Sequence, residues 1–231
     1  METYGSVDLY WIPLGAGATI VRITGRAYER LSAVRHHREP RALYHSALIV
    51  SLPEGRFTIE QTPVPDPNGW ERGVVAEGPV GTRMAGRFRL FRYEVRCWQN
   101  GSIPDLASAV SGPVRVTEAP EQARRIVETL PSIPTPTWGR DELRTGEMWN
   151  SNSVTAWALV RSGIGTEGLC PPAGGRAIGW HAGICVAGRQ AAAVDGGTAG
   201  PVARGRSTGC RTRGRGQGSE GNAARPSTAA P

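Results

Sequence analysis

Two segments about a hundred residues apart carry the side chains best suited to chemistry: Tyr44-His45-Ser46-Ala47-Leu48-Ile49-Val50 and Asn150-Ser151-Asn152-Ser153-Val154-Thr155-Ala156-Trp157-Ala158-Leu159. The first reads as a strand bearing an imidazole, and the second as a polar cap that opens a helix. If that helix begins at Asn152, then Ser153, Ala156, Trp157 and Val160 recur at i, i+3, i+4 and i+7. Ser153 would then point inward at the positive end of a buried helix. A hydroxyl there could act as a nucleophile, free backbone N–H groups could form an oxyanion hole, and His45 could be the general base. The same residues also fit a plainer reading, in which Asn152 and Ser153 cap a helix and His45 is a hydrogen-bonded core residue. Glu60 lies on the opposite arm of a hairpin. A two-residue turn at Glu54-Gly55 puts it on the face of His45, where its carboxylate could orient the imidazole, although a surface carboxylate is the simpler reading. Asn152 and Trp157 would belong to the oxyanion side and the cleft, and His181 could add a second imidazole if its glycine-rich stretch folds over the helix start.

The elements that must position these groups follow from periodicity. Residues 6 to 23 alternate loosely around Gly15-Ala-Gly17 and predict a strand, a turn and a second strand; the lone GxG lacks the third glycine of a dinucleotide fingerprint. Ala27 to Arg38 predicts a helix with Tyr28, Leu31, Ala33 and Val34 toward the core. A hairpin follows from Leu43 to Gln61, turning at Pro53-Glu54-Gly55. Its first arm is apolar on both faces, with His45, Ala47, Ile49 and Ser51 on one and Tyr44, Ser46, Leu48 and Val50 on the other, so it belongs inside a sheet. Thr62 to Gly69 is a proline-rich loop, and Gly73 to Ala76 and Arg87 to Val95 read as strands. Pro120 to Leu130 is an amphipathic helix with Pro at its start and Ala123, Ile126, Val127 and Leu130 at helical spacing. The later helix runs to Arg161 or Ser162, with Gly163 as its stop. Cys170 to Gly183 reads as a loop and Ile184 to Ala187 as a last strand.

Composition narrows the function classes. At 231 residues the chain can bury a real core as one domain. All 27 basic residues are arginine, the usage of a GC-rich bacterial coding sequence. Residues 191 to 231 hold +4 of the +7 net charge and, past Val202, no large apolar residue, so a disordered Gly/Ala/Arg-rich tail is expected there. The remaining 190 residues are near balance, which speaks against nucleic-acid binding by the domain. No apolar run is long enough for a membrane span, and Glu2 and Asp8 occupy the start where a signal peptide would be basic and apolar, so the expected location is cytoplasmic. Cys97, Cys170, Cys185 and Cys210 are scattered singly and read as reduced thiols. His36-His37 point in different directions from an arginine-rich helix end, so no metal site and no cofactor is expected.

A strand histidine in a Tyr-His-Ser-Ala context, followed about a hundred residues later by Asn-Ser at the head of an apolar helix, resembles a circularly permuted NlpC-type papain-like domain, the branch with lecithin-retinol-acyltransferase-like proteins. Residues 7 to 190 are also similar to an uncharacterised bacterial family through Val7-Asp-Leu-Tyr-Trp-Ile-Pro-Leu14, Arg83-Met-Ala-Gly-Arg-Phe-Arg-Leu-Phe-Arg-Tyr-Glu94, Met148-Trp-Asn-Ser-Asn-Ser153 and Pro171-Pro-Ala-Gly-Gly-Arg-Ala-Ile-Gly-Trp180. The resemblance implies a base on a strand and an Asn-Cys nucleophile opening a later helix. Ser153 stands where that cysteine is expected. A hydroxyl ionises far less readily than a thiol, so the cysteine chemistry does not carry over.

The resulting expectation is an α+β, papain-like domain over residues 1–190, an antiparallel sheet packed on a few helices, followed by the tail at 191–231. Its function would be hydrolysis or acyl transfer at an amide, ester or thioester through Ser153, His45 and Glu60. The alternatives are an inactive module holding a small molecule, peptide, lipid or cell-wall fragment in the same cleft, and a structural domain in which Asn152 and Ser153 only cap a helix.

Overall fold

The computed structural model describes residues 4–15, 19–62, 73–103 and 105–194. The tail expected from 191 begins with four helical residues, 191–194; from 195 onward it lies outside the described residues, as does the proline-rich loop after Thr62. Strand β1 (Ser6–Pro13), helix α1 (Thr19–Arg35), strands β2 (Tyr44–Leu52), β3 (Gly55–Thr62), β4 (Val74–Pro79), β5 (Arg92–Gln99) and β6 (Val114–Thr117), and helices α2 (Pro120–Thr129), α3 (Ser151–Arg161) and α4 (Trp180–Val194) follow in chain order. The strands form one antiparallel sheet in the order β4-β5-β3-β2-β1-β6. With this sheet and four helices among the described residues, the architecture is α+β.

The apolar arm from Tyr44 is an interior strand, as its two apolar faces require. It pairs with β1 (Ile12↔His45, Trp11↔Ser46) and with β3 (Leu48↔Ile59, Val50↔Phe57). Neighbouring pairs share a face. Trp11, Tyr44, Leu48, Val50, Ile59, Tyr93 and Val95 thus form one surface, and Ala123, Ile126, Trp157 and Leu159 of α2 and α3 pack on it. On the opposite surface Ile12, Ala47 and Ile49 are covered by Ile103, with Leu106 and Ala109 alongside.

Helix α2 has Pro120 in its first turn and buries Ala123 and Ile126, as its spacing predicts. Helix α3 ends at Gly163 (φ 74°), whose N–H bonds the Val160 carbonyl while Ile164 N–H bonds that of Leu159. That pair of bonds needs a left-handed residue at Gly163. Helix α4 lies against α3 at Gly183, where an added Cβ would sit 2.2 Å from the Ser153 carbonyl oxygen.

Several sequence expectations give way. The second strand expected before residue 23 is the start of α1, and the exposed side of α1 carries Tyr28, Leu31 and Val34, with Ala33 turned inward. The Arg87–Val95 strand begins only at Arg92, after two short 3-10 turns at Ala85–Arg87 and Arg89–Phe91. The short strand expected at Ile184 to Ala187 is the middle of α4. There Gly183, which reads as a breaker, permits close helix packing instead. Cys97 and Cys185 are free thiols, whereas Cys170 is disulfide-bonded, which corrects the expectation of reduced thiols at that position.

Candidate functional site at the strand–helix junction

The N-terminus of α3 meets the sheet at the start of β2. Asn150 caps the helix: its Oδ1 accepts from Asn152 N–H (2.9 Å), and its own N–H donates to Ser153 Oγ (3.1 Å). Polar residues at these spacings satisfy amides that a helix start leaves unpaired. Ser153 Oγ in turn donates to the Gly179 carbonyl (2.7 Å), and the residue is fully buried, with 0% of its surface exposed. The inward direction expected for Ser153 is therefore correct, but its hydroxyl is bonded on both sides. Ser153 and Val154 N–H both donate to the Asn150 carbonyl (2.9 and 3.1 Å), so these amides of the first turn are already engaged.

Asn152 binds the helix to the strand. Its Nδ2 donates to the Tyr44 carbonyl (3.0 Å) and the Ile178 carbonyl (2.9 Å), and its Oδ1 accepts from Ser46 Oγ (2.9 Å). Thr155 Oγ1 adds a bond to the Ser46 carbonyl (3.3 Å). Ser46, Asn152, Ser153 and Thr155 are all buried. The group facing the helix start from β2 is therefore the Ser46 hydroxyl. Trp157, fully buried, donates from Nε1 to Gln190 Oε1 (2.7 Å) and ties α3 to α4.

His45 is one residue from Ser46 and so projects from the other face of the sheet, with Ala47 and Ile49 and the covering segment at Ile103. It is half-buried; burial holds its imidazole pKa below the usual value, and the nearby Asp105 carboxylate offsets this only in part. Glu60 does share the face of His45, as the hairpin register requires, since Ile59 points to the opposite one. Its carboxylate pairs with Arg96 (3.4 Å), which also binds Glu94 (2.8 Å), in a buried ionic row on β3 and β5. The structure therefore does not bring His45 and Glu60 to Ser153: the sheet stands between them.

His181 is on α4 and not in a loop. Its ring Nε2 lies 3.1 Å from Cys185 Sγ, one turn along. The Glu147 carboxylate accepts from Gly179 N–H (2.9 Å) and His181 N–H (3.2 Å) and so caps the start of α4. A thiol and an imidazole in reach could form a nucleophile and base. Here burial pushes the Cys185 thiol above its ordinary range; Arg189 opposes the shift, and the Glu147 and Asp141 carboxylates reinforce it. This is the reverse of the tuning a thiolate nucleophile needs. Sequence reasoning missed Ser46, Glu147 and Cys185. The His-x3-Cys spacing was readable, but only once residues 180 to 194 are taken as a helix.

Among the described residues no group of three or more His, Cys, Asp and Glu side chains could hold a metal ion, and no helix is long and apolar enough to cross a membrane. Compared with known proteins, the chain matches no family model, no curated protein and no solved structure.

Proposed function

We propose that this chain is a binding module on a papain-like, permuted NlpC-type plan, in which the strand–helix junction is closed by neutral hydrogen-bonding groups and does no covalent chemistry. The plan is supported by chain order and placement: an interior strand first, then a helix whose Asn-Ser start abuts that strand. The loss of turnover is supported above all by one observation. Ser153 Oγ is sealed from solvent and bonded to Asn150 N–H and the Gly179 carbonyl, with the strand hydroxyl of Ser46 and not an imidazole on its side of the sheet. A serine nucleophile requires a base within about 2.6–3.2 Å, somewhat more in an unliganded site, and access for a substrate carbonyl. The hydrolase or acyltransferase reading through Ser153 and His45 would need the register of β2 to shift by one residue. That shift would turn Leu48 and Val50 out of the core.

The test is intact-mass analysis of the full chain after incubation with a fluorophosphonate. No adduct is expected. Ser153→Ala should lower stability by about 1–2 kcal/mol, the range for losing a helix cap, and change nothing else. A stoichiometric adduct that disappears in Ser153→Ala would overturn the proposal and restore Ser153 as a nucleophile.

A further inference from the structure

The segment from Arg83 to Arg92, Arg-Met-Ala-Gly-Arg-Phe-Arg-Leu-Phe-Arg, contains four arginines, four large apolar residues and no acidic one. It forms two consecutive 3-10 turns with no buried residue. Met84, Phe88 and Leu90 are 67% to 76% exposed, and Phe91 is exposed as well. Scattered exposed apolar residues are ordinary, but four within eight positions, interleaved with arginine, are not. The segment is also rooted firmly. Val80 N–H donates to the Phe91 carbonyl (2.7 Å), Gly81 N–H to the Trp138 carbonyl (3.1 Å), and Arg140 Nε to the Gly81 carbonyl (2.8 Å).

We propose that residues 83–92 form a peripheral docking loop for an anionic phospholipid surface. The choice of occupant rests on charge and shape. The Arg92 guanidinium pairs with the exposed Glu77 (3.0 Å), a contact worth little in water and readily exchanged for a phosphate, and Arg83, itself exposed, forks onto the half-buried Glu142 (3.1 Å). The apolar side chains stand out from turns and do not line a groove. The cleft of about 470 Å³ at the root of the loop is lined by Gly81, Thr82, Arg83, Arg140, Asp141 and Glu142 and by none of the four. Projecting apolar side chains ringed by arginines fit a medium they can sink into, with headgroups around them.

A second element extends the surface. Antiparallel pairing puts the end of β1 (Pro13↔Tyr44), the end of β3 and the start of β5 (Thr62↔Glu94) at the same end of the sheet. Helix α1, which joins β1 to β2, therefore lies at the end from which residues 83–92 project. Its outward side carries Leu31 and Val34, 72% and 73% exposed, with Tyr28, Arg30 and Arg35 also exposed.

This proposal rests on the binding-module reading only in taking a surface as the working part, and its test is separate from the fluorophosphonate assay. The full chain is sedimented with phosphatidylcholine vesicles with and without phosphatidylserine. Binding is expected only with phosphatidylserine and should weaken steeply with salt. Arg87→Gln should weaken it by about fivefold, and Phe88→Ser with Leu90→Ser by tenfold or more, with unchanged thermal unfolding because these side chains are exposed. Absence of binding, or binding indifferent to the loop substitutions, as the arginines beyond residue 200 alone would produce, overturns the proposal. So does loop-dependent dimerisation in solution, or capture of soluble poly-glutamate without vesicle binding; these would assign the surface to a second copy or to an acidic protein. A Ser153 adduct in the earlier assay would leave the vesicle result standing, and failure with vesicles would leave the closed junction untouched.

Discussion

Asn152→Ala tests the closed junction most directly. The carboxamide satisfies three buried partners: the Ser46 hydroxyl at Oδ1, and the carbonyls of Tyr44 and Ile178 at Nδ2. Truncation leaves the Ile178 carbonyl its bond from Asn150 Nδ2 (2.8 Å) but strips the Tyr44 carbonyl and the Ser46 hydroxyl of this partner. A buried polar group left without a partner costs about 1–3 kcal/mol, so two such groups predict a loss of about 3–4 kcal/mol. Ser46→Ala orphans only Asn152 Oδ1 and should cost about 1–2 kcal/mol. In the double variant the Ser46–Asn152 bond is lost once and not twice, so the two effects should fall short of additivity by about 1 kcal/mol. Urea unfolding followed by tryptophan fluorescence measures all three, with Trp11 and Trp157 fully buried near the junction. If Asn152→Ala costs less than about 0.5 kcal/mol, water is replacing the carboxamide. The junction would then be a wet, open cleft, and the argument against catalysis there would fail.

Four other perturbations probe the same region and its surroundings. Gly183→Ala places a methyl 2.2 Å from the Ser153 carbonyl and 2.9 Å from Trp157 N, so α4 must move off α3; a loss of about 2 kcal/mol or more is expected in the same unfolding assay. Gly188→Ala, on the same helix with nothing within 4 Å, should be neutral or stabilising by up to about 1 kcal/mol, the helix propensity gain. His45 has its pKa depressed in the folded state, so the unfolded chain binds the extra proton first as pH falls. Its contribution to stability is complete above about pH 6.5 and is lost below it, at no more than about 1.4 kcal/mol per pH unit; His45→Gln should flatten that part of the pH–stability curve. Cys185 should alkylate slowly with iodoacetamide at neutral pH and faster only in alkali. A fast reaction near pH 6 that His181→Ala abolishes would instead identify an activated thiolate.

Much of the fold was legible where a local rule decided it. The β2–β3 hairpin followed from its apolar arm and the turn at Pro53-Glu54, α2 from its proline start and helical spacing, and the end of α3 from Gly163; its start, expected at Asn152, is Ser151, with Asn150 and not Asn152 as the cap. Alternation also sorted His45 from Ser46, and Glu60 was placed on the face of His45. It could not say which face α3 would cover, because that depends on contacts between residues more than a hundred positions apart, such as Ser46 and Asn152. The candidate site failed at that step. Helix α4 was hidden for a different reason: Gly183 lowers helix propensity, yet the approach of α4 to the α3 backbone leaves no room for a side chain there. The outward apolar side of α1 defeats the rule that an amphipathic pattern shows its apolar side to the core. Among the described side chains of that helix the buried ones are Ala33 and Glu29, and Glu29 takes Arg38, Arg176 (3.0 Å) and the Arg41 amide (2.9 Å).

The sheet order has a consequence for how the chain comes off the ribosome. Five of the six strands precede residue 100, and β6 joins β1 across more than a hundred residues of intervening chain. The apolar floor made by Trp11, Leu48, Val50, Ile59 and Tyr93 is therefore synthesised long before the α3 residues Trp157 and Leu159 that roof it. Elongation at roughly 5–20 residues per second leaves that floor bare for several seconds. The nascent sheet would need shelter during that interval, and a ribosome stalled before residue 150 would display a half-built domain with a sticky side.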